Sequence, residues 1–254
     1  MDIPESEADW RHATVGRVKG DQVVWGQLFK DKTLLWLTTE TEEPLLGRVN
    51  FPTPSPAALA FSLAFDAARA AIAVRKQVLF SGRGNQTKSI DPTSVPALYA
   101  YFEQSMAAAV FSFQCLEAYA NQVIARLATE PMGVPRRSGM EQLSPDQLER
   151  VLTTDEKLTV VLPQLMSVPS PKGRALWPQY RELKGVRDST VQLKSIDHYV
   201  RGKVDRHSVY YRLLSRSPMV YPRIAAKLVR HFCASKPERW LEGAEARLAL
   251  SKPT

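Results

Sequence analysis

Cysteine is scarce in this chain, with only Cys115 and Cys233 among 254 residues. The two stand far apart and lack neighbours at metal-ligand spacing. Neither a disulfide framework nor a structural metal is expected, and the pair suits a reducing compartment. Cys115 falls inside an apolar helical pattern and reads as a buried, inert thiol. No apolar run reaches the roughly 18 to 20 residues of a membrane span, so no membrane partner is expected. The opening stretch MDIPESEADWRH is acidic and polar, unlike the basic and then apolar order of a secretory leader. These absences point to the cytoplasm, and no pattern asks for a cofactor.

What the chain has in excess is positive charge. Net charge is +8 with a pI near 9.5, while hydrophobic residues at 44% and charged residues at 24% are ordinary for a soluble globular protein. A basic surface of this size suits an anionic partner, of which nucleic acid is the commonest; a merely solvated basic surface is the plain alternative.

From Ala13 to about Phe51 the texture is β: VGRV, VVWGQLF, TLLWLTT and LLGRVNF, separated by short polar turns. Those spacings predict a small antiparallel sheet with Trp25 and Trp36 in its core. Pro52, Pro54 and Pro56 then break the chain, and Ala57 to Phe80 reads as an alanine-rich helix. The following loop, GRGNQTKS, approaches a phosphate-binding loop through Gly82, Lys88 and Ser89, with Thr87 in place of the second glycine. Such a loop must run into a helix whose first amides face the phosphates, and this one runs into IDPTSVP. A surface loop is therefore the better reading.

Pro96 to about Ala128 is the longest helical pattern, apolar around most of its circumference, as for a helix surrounded by others. Its polar exceptions, Glu103, Gln114, Glu117 and Asn121, share one stripe. Either the stripe faces solvent, or Glu117 and Asn121 line a polar pocket and meet a cation from another helix, since a lone buried carboxylate is costly. TEPMGVPRRSGMEQ reads as a loop with Arg136 and Arg137 exposed. Ser144-Pro145-Asp146 starts a helix, with serine as cap and proline first, and a second short helix runs from Thr154 to about Met166.

A further helix is expected from about Pro178 to Ser195, with Leu183, Val186, Thr190 and Leu193 on its apolar face. It carries RDSTVQLKS. Arg187 and Gln192 are offset by about 140° on such a helix, so two unrelated solvated side chains is the bland reading. RDSTVQLKS, taken with LEAYANQVI on the long helix, resembles the HEPN superfamily, helical domains found in bacterial toxins and antiviral defence proteins. The resemblance covers residues 96–200, or 58–235 with flanking helices, and leaves out the β-rich start. In that family an arginine, commonly followed by Asn or Asp, precedes a histidine by four to six residues.

The resemblance implies a metal-independent endoribonuclease acting as a homodimer in a defence or toxin–antitoxin setting. Arginine would stabilise charge on the scissile phosphate, and histidine would exchange protons. Arg187 matches the arginine and Asp188 its follower, with Glu117 and Asn121 on the partner helix. The histidine position holds Gln192, which hydrogen-bonds but cannot exchange a proton near neutral pH. His198 lies about 16 Å further along a helix than Arg187. The alternative is thus a non-catalytic relative that binds RNA or a protein partner.

Beyond it, Arg201, Lys203, Arg206 and His207 form a basic turn suited to phosphates. The tract that follows interleaves Tyr210, Tyr211 and Tyr221 with Arg212, Arg216, Arg223 and Arg230, a composition that fits RNA, or equally a core with a solvated face. A final amphipathic helix, Glu238 to Leu250, carries Trp240, Leu241 and Leu248. The expected fold is mainly α: a helical bundle around a long central helix, with a small N-terminal antiparallel β module. Its expected divisions are 1–55, 56–235 and 236–254.

Overall fold

The computed structural model describes residues 9–24, 27–31, 34–81, 88–136, 139–192, 206, 208–233 and 238–251. The N-terminal part forms two-stranded antiparallel ribbons among the described residues. Strand β1 (Thr14–Arg17) pairs with β4 (Leu34–Trp36), β2 (Gln22–Val24) with β3 (Gln27–Phe29), and β5 (Thr38–Glu43) with β6 (Gly47–Pro52). The β5–β6 turn is closed by Glu43, whose carboxylate accepts from the Leu45 and Leu46 amides at 2.8 and 2.6 Å. Gly47 takes the left-handed backbone, φ 74°, that the turn requires. Trp25 lies outside the described residues, as does the Trp36 side chain.

Helix α1 (Pro56–Arg75) starts on Ser55, whose hydroxyl accepts from the Ala58 amide, with proline in the first turn. A two-stranded hairpin, β7 (Phe80–Ser81) with β8 (Ser89–Ile90), leads through Pro92–Ser94 to α2 (Val95–Leu127). The phosphate-loop-like residues 82–87 lie outside the described residues, and the loop continues into β8 rather than a helix. The two long helices run antiparallel: Ser55 at the start of α1 reaches Gln122 near the end of α2, and Arg75 lies over Tyr101 near its beginning. Alanines let them approach closely; Ala57, Ala60, Ala64, Ala68 and Ala71 face inward with Ala108 and Ala109. By length and composition α1 is apolar enough to span a membrane, against the expectation that no run qualifies. Its inner face is buried against the bundle and its outer face carries Asp66 and Arg69.

After α2 the segment expected to be a loop is a hairpin, β9 (Met132–Arg136) with β10 (Gly139–Leu143). Arg136, expected to be exposed, is half-buried between Glu141 and Glu156; Arg137 lies outside the described residues. Helices α3 (Pro145–Arg150) and α4 (Thr154–Glu156) each start with a capping box, Ser144 with Gln147 and Thr153 with Glu156. From α4 the chain passes through one π-helical stretch, Lys157–Val161, into α5 (Leu162–Leu165). Then follow α6 (Leu176–Val191), α7 (Val209–Ser215), α8 (Val220–Phe232) and α9 (Arg239–Leu250).

The fold is mainly α, organised around α2, whose Phe113, Leu116, Tyr119, Val123 and Ile124 are buried among α1, α6 and α8. Trp240, Leu241 and Ala244 of α9 belong to the same core. Trp10 completes it from the other end of the chain. It meets Phe61 edge-on at 6.2 Å and lies so close to α9 that a Cβ on Gly243 would stand 2.7 Å from its own. Arg239 donates to the Asp9 carbonyl at 2.8 Å, and Arg247 lies over the Trp10 ring.

Candidate functional site

The arginine–acid pair sits near the C-terminal end of α6. Two features of that end come from its sequence. Ser189 and Thr190 turn their hydroxyls back onto the carbonyls of Gly185 and Val186, at 2.8 and 2.9 Å. Such back-bonding competes with the helical ladder, and the run Ser-Thr-Val contains no strong helix former. The helix therefore stops at Val191, short of the expected Ser195, and Gln192 adopts φ −125°, ψ 72° as an exposed cap. The residue in the histidine position of the resemblance thus sits off the helix that carries Arg187.

Arg187 is engaged rather than free. Its guanidinium carbon lies 3.9 Å from the centroid of the Phe113 ring on α2, and its Nη1 meets Asp188 at 2.9 Å. Phe113 is also stacked by Tyr180, two turns earlier on α6. Tyr180, Lys184 and Arg187 share one face of α6 at i, i+4 and i+7. Opposite them stands Asp155 in α4, which accepts from the Tyr180 hydroxyl at 2.5 Å, from Lys184 at 3.0 Å and from Arg181 at 2.8 Å. Burial pushes the Asp155 carboxyl up, but those hydrogen bonds and the charges of Lys184 and Arg181 outweigh it and hold the group below its ordinary value. Burial and the bond to Asp155 together push the Tyr180 hydroxyl far up, so it stays protonated and donates.

The Glu117–Asn121 stripe does meet a cation, and the cation is Lys157. Lys157 is only 2% exposed, and its ammonium donates to Asn121 Oδ1 at 2.8 Å and to the Glu149 carbonyl at 2.6 Å. Burial lowers its pKa, against the opposing charges of Glu117 and Glu149. Lys157 opens the π-helical stretch, which adds a residue to the turn that carries it. Glu117 and Asn121 are half-buried; Glu103 and Gln114, expected on the same stripe, are exposed.

A second set of cations lies along another edge of α6. Arg212 of α7 crosses Gly185 so closely that a Cβ there would stand 2.7 Å from its Nη1, and Arg216 meets Glu182 at 2.7 Å. The α7 end is fastened to α2 by the Tyr101 hydroxyl, which donates to the Leu213 carbonyl at 2.6 Å. One turn further along α6, Gln179 shares a recess with Arg216, Arg223 and Lys227. Among the described residues neither Arg223 nor Lys227 has an ion-pair partner.

No protein-family model, curated protein or solved structure matches the chain.

Of the residues singled out from the sequence, Arg187 and Asp188 come together on α6, and Glu117 and Asn121 of α2 lie beside Lys157 of the π-helical stretch. Arg187 packs against α2 one turn before Glu117, at Phe113. Arg212 and Arg216 lie on a different edge of α6, and Arg206 is exposed beyond α6 in the chain. His198, Arg201, Lys203 and His207 lie outside the described residues. The described histidines stand elsewhere: His12 at the N-terminal segment bridges to Pro54, and His231 in α8 contacts the Pro169 carbonyl. Tyr221 and Tyr210, read as candidate stacking platforms, pack inward, the first buried and the second against Phe102.

Sequence reading passed over Phe113, Asp155, Lys157, Tyr180 and Lys184. The i, i+4, i+7 spacing of Tyr180, Lys184 and Arg187 was a usable signal for a shared face. Nothing local marks Lys157, whose partners are 36 residues earlier and 8 residues earlier in the chain. Among the described residues no cluster of His, Cys, Asp and Glu has the makings of a metal site.

Proposed function

We propose that this chain is a HEPN-like helical protein that binds RNA without cleaving it. The observation that carries the reading is the row of cations beside α6, Arg212 at Gly185, Arg216 at Glu182, then Arg223 and Lys227. Of these, Arg223 and Lys227 have no acidic partner among the described residues. Backbone phosphates are the sequence-independent charge such a row fits. Support for the non-cleaving half comes from Arg187, which lies over Phe113 and is paired with Asp188, and from Gln192, which lies past the helix end and has no group that gains or loses a proton near neutral pH.

Fluorescence anisotropy with labelled single-stranded RNA tests the binding half. Affinity should fall with salt at a slope of about −2 to −3 in log–log form, as three or four phosphate contacts on a single strand give. Arg212→Ala with Arg216→Ala should reduce that slope. RNA cut in the presence of a metal chelator, with cutting lost in Arg187→Ala, would replace this reading with the ribonuclease one.

A further inference from the structure

The recess between α6 and the first turns of α8 has a chemistry narrower than that of a basic surface. Its volume is about 410 Å³, and it is lined by Gln179, Arg216, Ser217, Arg223 and Lys227 around an apolar floor of Val220 and Ile224. The fold holds these groups in place. Ile224 is 2% exposed and fixes the inner face of α8, so Arg223 and Lys227, one turn apart, project along the same side. Gln179 is tied by its amide to the Ala175 carbonyl at 3.2 Å. Arg216 is held by Glu182 at 2.7 Å, an ion pair that orients the guanidinium at the rim.

Charge balance sets the ligand. Three cations line the recess and one of them, Arg216, is paired with Glu182, leaving two positive charges in excess. A phosphodiester brings a single negative charge and continues on both sides, which suits a groove. A phosphate monoester brings about two negative charges at neutral pH and three acceptor oxygens, and it ends a chain. A half-open recess with two arginines and a lysine, two positive charges in excess, matches the second on charge. The apolar floor gives a sugar or base edge somewhere to lie once the phosphate is seated.

We propose that this recess binds a phosphate monoester dianion, and specifically the terminal phosphate of an RNA strand. The choice of a strand end over a free mononucleotide rests on the RNA-binding reading above. Arg223 and Lys227 hold the dianion, and Arg216 approaches it from the Glu182 side.

The test compares one short RNA bearing a 5′-phosphate, a 3′-phosphate or hydroxyls at both ends, by anisotropy on the full chain, with adenosine monophosphate and adenosine as competitors. A phosphorylated end should tighten binding about tenfold, the factor expected of one added charge-assisted contact. Arg223→Gln with Lys227→Gln should erase the preference while leaving the circular dichroism spectrum unchanged. A preference that survives this double substitution overturns the site. Salt-sensitive binding that ignores end phosphorylation overturns the recess and leaves RNA binding standing. Monophosphate binding that adenosine does not share, with no affinity for RNA of any end, keeps the recess as a mononucleotide site and overturns the RNA reading. Absence of binding to all of them overturns both.

Discussion

The guanidinium carbon of Arg187 lies over the Phe113 ring, 3.9 Å from its centroid, and Phe113 is 2% exposed. This contact locks the end of α6 to the middle of α2 and takes up the side chain that catalysis would need at a phosphate. A partly desolvated cation–π contact contributes about 0.5–2 kcal/mol, while the exposed pair with Asp188 adds little. Arg187→Ala is expected to cost about 1–2 kcal/mol in urea denaturation. Arg187→Lys should recover only part, because an ammonium cannot stack. Equal denaturation midpoints for all three proteins would remove the stacking from the account.

Installing a histidine should not create a nuclease. Gln192 is outside the helix and exposed, so Gln192→His places an imidazole where its position relative to Arg187 is not fixed. The expected result is no RNA cleavage above background in chelator at pH 6 to 8. Cleavage by Gln192→His, abolished again by Arg187→Ala, would show that the two positions converge.

Two glycines should respond to alanine with opposite signs. At Gly243 the added Cβ would meet Trp10 at its Cβ, Cγ and Cδ2, at 2.7, 2.9 and 3.1 Å, atoms that cannot swing aside. Overpacking of this kind costs about 1–3 kcal/mol, and Gly243→Ala should loosen residues 9–12. At Gly185 the nearest obstacle is the far end of Arg212, at 2.7 Å. A flexible tip yields, and replacing a mid-helix glycine favours the helix by about 1 kcal/mol. Gly185→Ala should therefore hold or raise the melting temperature while moving Arg212 off α6. Thermal denaturation of the two variants side by side decides the point, and a fall of equal size in both would show that Arg212 is as immobile as Trp10.

Acid should act on the bundle through Asp155. Its carboxyl sits below the ordinary value in the folded chain, so folding favours the ionised form. The stabilisation is complete above the unfolded value of about 3.9 and is lost as pH falls through the lowered folded value. Asp155→Asn should cost about 1–3 kcal/mol at pH 7, since Lys184 and Arg181 lose their counter-charge, and should flatten the acid limb of the stability curve. An unchanged acid limb in Asp155→Asn would assign acid sensitivity to other carboxylates.

The helical frame was legible because its signals are local. Apolar periodicity marks α2, and Ser144 and Thr153 start their helices through capping boxes that need only neighbouring residues. The end of α6 was misplaced because hydrophobic periodicity runs on through Leu193 while the hydroxyls of Ser189 and Thr190 undo the ladder beneath it. The β9–β10 hairpin was missed because Gly133, Pro135 and Gly139 look like breakers, although two such strands can pair at an edge. In the site, a cation for Asn121 was foreseeable from the cost of burying the stripe; that it is Lys157 depends on tertiary packing.

The seat of Trp10 has a consequence for the order in which the molecule is made. The Asp9 carbonyl takes its hydrogen bond from Arg239, a residue 230 positions later, and the indole lies against Gly243 and Arg247. Residues 9–12 are therefore synthesised long before Arg239, Gly243 and Arg247, the residues that receive them. Trp10 cannot take its seat until α9 exists, so this part of the core stays open while the helices between them are being made.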